Sequence, residues 1–221
     1  MLDTAAIPLL LTLKVAGVAT LLAFLLGVGV ARLLSRRSFA GREIIDAICT
    51  LPMVMPPTVL GYYLIVLAGR RGIVGRWLWE RLGINLMFTW QGAALAAAAV
   101  AFPLVFKGAR AAFESVDHQL EAAARTLGAS ESGIFARVTL PLAWKGVLAG
   151  TMLAFARATG EFGATLMIAG NIPGRTQTLS LAVYDAVQAA KDDVAAFLVA
   201  VTSIVCVAVL VGAGKLLAPR T

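Results

Sequence analysis

Two charged side chains stand inside an apolar run: Arg157 and Glu161, four residues apart in LAFARATGEFGATLM. On a helix that spacing puts them on one face. An isolated charge in hydrocarbon costs at least ~2.5 kcal/mol, so the two must pair or face a cavity. Both readings are open. Either the pair is a structural stitch, or one or both groups border a path for an anion, where a guanidinium would offset the anion's lost hydration. Gly160 and Gly163 flank Glu161 and permit a bend or a close helix approach. A second apolar run carries Pro56 and Pro57 in MVMPPTVL, which must kink or break a helix. Broken helices commonly line transport pathways. Passage of a solute is therefore the chemistry these residues suit, more than bond-making. The chain has one histidine, His118. It shows no HExxH, GxSxG or paired-cysteine spacing, and no cofactor or metal site is called for. It has no GxxxxGK[ST] phosphate loop either, since Gly214-Lys215 is followed by leucine. Any ATP that drives it must be hydrolysed by another subunit.

The elements that position these residues are membrane helices. The chain is 60% hydrophobic and 14% charged, with a mean hydropathy of +0.87. That composition lies far outside the range of soluble domains. We expect an all-α, polytopic membrane protein with five spans, at about 9–31, 44–68, 86–106, 142–169 and 194–214. Lys14 is the only charge of the first span, and Asp46 lies close enough to one end of the second to be solvated, so it takes no role. The first run has no basic region before it, so it reads as a retained span, not a cleaved signal. Cys49 and Cys206 sit in apolar runs and read as small buried hydrophobes. The net charge of +7 belongs to short loops without aromatic interleaving, which argues for a membrane surface and its lipids and against nucleic acid.

Loop charge sets an expected orientation. Eleven basic residues fall on one side: Arg32, Arg36, Arg37, Arg42, Lys107, Arg110, Arg125, Arg137, Lys145, Lys215 and Arg220. Six fall on the other: Arg70, Arg71, Arg76, Arg81, Arg175 and Lys191. The richer side should be cytoplasmic, with the N-terminus outside and the C-terminus inside. The loop RRGIVGRWLWER at 70–81 runs against this rule, being both basic and external. Trp77, Trp79 and Trp90 around it fit an interfacial aromatic belt. The other external connection, 171–193, opens with the turn NIPG and continues with Leu179, Val183, Ala186 and Val187 at helical spacing. It suits a surface helix or a re-entrant piece.

The segment 115–141 is polar and helix-patterned between two spans. Leu120, Ala123, Ala124 and Leu127 recur at i, i+3, i+4 and i+7. Gly128 follows where a helix would end, and Ser130 can cap a second short helix bearing Ile134, Phe135 and Val138 before Pro141 opens the next span. Two short helices meeting at a bend, with an outward apolar edge, would suit docking on a cytoplasmic partner.

This segment resembles the EAA motif of ABC importer permeases. Gly128, Val138, Leu140 and Pro141 hold the motif's spacing from glycine to Leu-Pro, with valine for isoleucine, while Glu121 stands one residue early. AARTLGAS, LPMVMPPTVLGYYL, AGRRGIVGRWL and GEFGATLMIAGNIPGRTQTLSLAVYDAVQ are similar to the molybdate branch of that family. The GEFGA stretch is shared with sulfate permeases, and NIPG with its following threonines leans toward molybdate. Tungstate is not separable from molybdate. The resemblance implies a single type I transmembrane domain over 1–221, in a bacterial inner membrane. It implies a homodimer with two cytoplasmic ABC ATPase subunits and an external oxyanion-binding protein. The coupling segment would dock the ATPase through Leu120, Glu121, Ala124, Leu127, Gly128, Ile134 and Phe135. Pro56, Pro57, Arg157, Gly160, Glu161 and Gly163 are the path candidates. An ion-gradient transporter and a membrane scaffold are the rival classes; the first would show inverted repeats and a charged relay, and neither is visible.

Overall fold

In a computed structural model, residues 2–36 and 39–217 are described. Arg37 and Arg220, counted above on the basic side, lie outside the described residues. The described chain is entirely helical. It runs α1 (Leu2–Arg36), α2 (Arg42–Val54), α3 (Pro57–Ala68), α4 (Ile73–Leu82), α5 (Trp90–Glu114), α6 (His118–Thr126) and α7 (Glu131–Ile134). A π-helical turn (Phe135–Thr139) follows, then α8 (Leu140–Thr159), α9 (Gly163–Ala169), α10 (Leu179–Gln188) and α11 (Asp192–Leu217). Among the described residues, four helices are long and apolar enough to cross a membrane, and the bent pair α2–α3 brings the number to five if it is counted as one broken span.

α5 is the central helix. Thr89 caps it by accepting from the Gly92 N–H at 3.3 Å, and a run of buried alanines, Ala93 to Ala101, lets α1 and α8 pack closely on it. Without a hydrophobic drive between helices in lipid, such contact relies on small residues and close van der Waals fit. Gly108 and Gly150 show this best: a Cβ on Gly108 would stand 2.8 Å from the Gly150 Cα, and one on Gly146 would stand 2.6 Å from the Ala112 Cβ.

Both expected irregularities occur, with one revision. Met55 and Pro56 each precede a proline and are both extended, at ψ 142° and 134°. The ring of a following proline excludes the helical region, so the chain bends by 113° between α2 and α3. The run 142–169 is not one helix. It stops at Thr159, turns through Gly160, Glu161 and Phe162, and restarts as α9. At its other end the expected second short helix does not stand alone, because Glu131–Thr159 is continuous through the π turn. Pro141 offers no N–H to the Arg137 carbonyl and its ring would crowd that oxygen, so the turn before it widens. Cys49 and Cys206 are half-buried and free, not buried. α10 packs Leu179, Ala182 and Ala186 against Ala5 of α1 and Leu198 of α11, and the Leu179 N–H donates to Thr12 Oγ1 at 2.8 Å.

Candidate functional site

α6 begins at Asp117, whose carboxylate accepts from the Gln119 N–H at 2.8 Å. It ends as a glycine-capped helix should: Gly128 sits at φ +81°. The Gly128 N–H donates to Arg125 O and the Ala129 N–H to Ala124 O, both at 3.1 Å, which satisfies two carbonyls that would otherwise be orphaned. Leu120 and Gly128 are exposed, and Leu127 is 87% exposed. Ala124 is half-buried.

The other docking candidates face the opposite way. Ile134 is fully buried, so its expected place on an outward edge does not hold. Phe135 packs edge-on against Phe113 at 5.5 Å between ring centroids, and the Arg32 guanidinium lies 3.5 Å over its ring. The physical reason is that Glu131–Thr159 runs on as one helical stretch, so these apolar side chains continue the face with which that stretch packs on α1 and α5. Glu121 also points inward, accepting from Arg36 Nη2 at 3.3 Å and from the Thr139 hydroxyl. Glu131 accepts from Arg125 Nε at 2.7 Å and from Arg36. Its hydrogen bond keeps the Arg125 guanidinium deeper in its charged form than usual. α6 is thus clipped to the end of α1 and to the π turn by buried or half-buried contacts, while Leu120 and Leu127 remain free. A cavity of about 700 Å³ lies between α1 and α6, lined by Arg32, Arg36, His118, Glu121, Arg125 and Glu131.

A second clamp was not anticipated. Asp46 accepts from Lys107 Nζ at 2.5 Å and from Arg110. Glu114 accepts from Arg110 Nε at 2.9 Å and from Arg42. This network ties α2 to the C-terminal part of α5. Its signal was present, because Arg42 and Asp46 share one helical face, as do Lys107, Arg110 and Glu114. Asp46 was read as solvated, and the pairing across 61 and 64 residues had no local trace.

The two helix breaks meet. A Cβ on Gly163 would stand 2.7 Å from the Pro57 Cβ, and one on Gly61 would stand 2.6 Å from the Met167 Cβ. Glu161, between α8 and α9, is buried; its Oε1 accepts from the Ala164 N–H at 3.0 Å. Its Oε2 lies 2.9 Å from Arg157 Nη2, off-line for a hydrogen bond, so charge holds the pair. The Glu161 side chain is 2% exposed and that of Arg157 39%. Arg157 is the one charged group lining a cavity of about 220 Å³ beside Pro52, Met53, Met55, Pro57, Val100 and Leu104. Pro56 and Gly160 are exposed at the two breaks. Four of the six path candidates, Pro57, Arg157, Glu161 and Gly163, therefore come together through contacts and a shared cavity, while Pro56 and Gly160 lie at the two turns. Phe162 adds a link not foreseen, its ring 5.2 Å from that of Tyr184 on α10. An arginine anchored on one side and open to a cavity on the other can hold an anion by charge and hydrogen bonds.

A family model described as "Binding-protein-dependent transport system inner membrane component" matches residues 23–221. Among curated proteins, the Escherichia coli (strain K12) molybdenum transport system permease protein ModB is 48% identical over 179 residues, 81% of this chain and 78% of that protein. The Bacillus subtilis (strain 168) putative molybdenum transport system permease protein YvgM is 41% identical, covering 85% of this chain and 83% of that protein. Among solved structures, an inward-facing MetNI methionine ABC transporter chain aligns with a TM-score of 0.76 at 18% identity, over 98% of this chain and 96% of that one. A transporter involved in alginate import aligns with a TM-score of 0.75 at 16% identity, over 97% and 79%. At those identities the structural likeness speaks for the fold alone.

Proposed function

This chain belongs to the family of binding-protein-dependent transport system inner membrane components, and on that premise we propose that it is the permease subunit of an ATP-driven molybdate importer. The observation that carries the oxyanion path is the meeting of two broken spans at Pro57 and Gly163, with Arg157 as the charged group on the adjoining cavity. The permease names of its relatives support molybdate as the cargo.

In this reading the chain is a multi-pass protein of the bacterial plasma membrane, one transmembrane domain throughout, and it works as a homodimer. Its N-terminus is outside and α6 faces the cytoplasm. Leu120, Leu127 and Gly128 form the surface that seats in a cytoplasmic ATPase. Ala124, Glu121, Ile134 and Phe135 hold that surface from behind, so a push on α6 passes to α1 through Arg36 and to α8 through the π turn. An external binding protein delivers the oxyanion at the other end. The chain itself moves no bond. It supplies a gated path, with Arg157 compensating the dianion's lost water and Glu161 holding Arg157 in place.

Reconstitution tests this directly. The permease, its ATPase and the binding protein in liposomes should take up labelled molybdate only with ATP. Tungstate should compete strongly and sulfate weakly. Uptake driven by an ion gradient without ATP would establish the secondary-transporter rival instead. Equal competition by sulfate would move the cargo assignment to the sulfate branch, and partner binding with no uptake would make the chain a scaffold.

A further inference from the structure

The basic loop at 70–81 contradicts the charge rule that orients the rest of the chain, and the structure gives it a shape. α4 occupies most of it. Gly72 and Gly75 press α4 onto the end of α3: a Cβ on Gly75 would stand 2.1 Å from Gly69 O, and one on Gly72 would stand 2.3 Å from Leu67 O. α4 is therefore pinned at the end of α3, the apolar second half of the bent pair. At 100° per residue, Ile73, Val74, Trp77, Leu78 and Leu82 fall in one half of its wheel, together with Arg81, whose long stem can carry its charge out of that half. Most of that half has no cover, with Ile73 84% exposed, Val74, Trp77 and Leu82 also exposed and Leu78 half-buried.

On the side of α6 and the α2–α5 clamp the charges are mixed: Arg32, Arg137 and Lys145 have no carboxylate partner among the described residues, while Arg36, Arg42, Lys107, Arg110 and Arg125 each pair with one. Among the described residues, none of Arg70, Arg71, Arg76 and Arg81 does. Arg70 instead lies 4.8 Å from the Trp79 ring centroid. Arg70 and Arg71 also line a cleft of about 520 Å³ with Asn85, Ile65, Met87 and Phe88.

We propose that α4 is an interfacial helix that binds anionic phospholipid, its apolar half sunk at the edge of the acyl chains and its arginines on the headgroup phosphates. The Arg70–Arg71 cleft takes one phosphodiester. A helix with arginines and an uncovered Trp- and Ile-bearing half, fixed at the hydrocarbon boundary, is complementary to such a surface in both charge and polarity. A free oxyanion would use the arginines and leave the apolar half unexplained. The inference does not rest on the transport reading, since it needs only that the chain sits in a bilayer.

The full-length permease carrying Trp79→Phe, Trp90→Phe and Trp144→Phe leaves Trp77 as the sole reporter. It is reconstituted in phosphatidylcholine containing brominated phosphatidylglycerol, or the same fraction of brominated phosphatidylcholine. Brominated phosphatidylglycerol should quench Trp77 more strongly, and added salt should shrink the difference. Each arginine changed to glutamine in Arg70, Arg71, Arg76 and Arg81 should weaken the preference about fivefold. Phosphatidylglycerol retained by the unmodified protein in native mass spectrometry gives a second reading, and it should fall in the same variants. Absent quenching, equal quenching by both lipids, or a preference that survives all four substitutions would overturn the proposal. A preference abolished by low-millimolar phosphate or molybdate would overturn it in favour of a free-oxyanion site. Shielding of Trp77 by the binding protein, with no lipid preference, would do so in favour of a protein-docking surface.

Discussion

Substituting the two members of the Arg157–Glu161 pair should have unequal consequences, and the structure sets the order. Arg157→Met leaves a carboxylate whose side chain is 2% exposed with no counter-charge. Breaking a buried pair in that way costs about 3–5 kcal/mol. Glu161→Gln is milder. The amide oxygen can still accept from the Ala164 N–H, now 3.0 Å away, and the remaining guanidinium is 39% exposed and can be solvated. That loss should be about 1–2 kcal/mol. The double variant carries no charge and should fall near Glu161→Gln, giving a coupling of about 3–5 kcal/mol between the sites, since the cost of Arg157→Met vanishes once the carboxylate is gone. Unfolding of the purified complex in detergent, followed by membrane yield, measures the order. Oxyanion uptake then separates the roles: if Arg157 compensates the dianion, the double variant assembles well and transports poorly. An Arg157→Met protein as stable as Glu161→Gln, or a double variant worse than either, would refute the reasoning. A stable double variant with normal uptake would remove Arg157 from the path.

Gly128→Val should cost about 1–2 kcal/mol locally, because φ is +81° and the surrounding space is open; ATPase co-purification should weaken with the spans intact, and unchanged capture and uptake would remove α6 as the docking element. Asp46→Asn should loosen α2 from α5 by about 1 kcal/mol, modest because Lys107 is 46% exposed, and unfolding of the purified protein in low salt should show it best; an unchanged midpoint would mean the clamp is idle. Cysteines at Ser130 and Arg175, both exposed, should label oppositely with an impermeant thiol reagent in intact cells, Arg175→Cys reacting and Ser130→Cys reacting only after lysis. Reaction of both from outside would overturn the five-span orientation.

In mechanical terms the chain is two irregular regions on a stiff frame. α1, α5 and α8 form the frame through alanine and glycine contacts. The helix breaks meet each other at Pro57 and Gly163, and α6 is tied to Arg36 at the end of α1. Phe162, next to Glu161, touches Tyr184 on α10, so the break at Gly160 is also connected to the 171–193 connection.

What the sequence determined alone is what short-range chemistry controls. Membrane residence followed from apolar content, because twenty apolar residues in a row have few other solutions. The break at Pro56 and Pro57 followed from the sterics of proline and the residue before it. The cap at Ser130 and the turn at Gly128 depend on atoms within a few residues of each other. Tertiary structure decided what depends on which face looks inward and on which distant segments touch. Periodicity placed Ile134 and Phe135 on a common face, and only packing decided that this face looks inward, against Phe113 of α5. Asp46 looked solvated until Lys107 and Arg110 came to it from 61 and 64 residues away. Gly163 and Pro57 each announced an irregular helix, and nothing local said that the two would meet. A residue's type and spacing constrain its own turn of helix, whereas its partner is chosen by how whole helices pack, a sum over many small contacts that no short window of sequence contains.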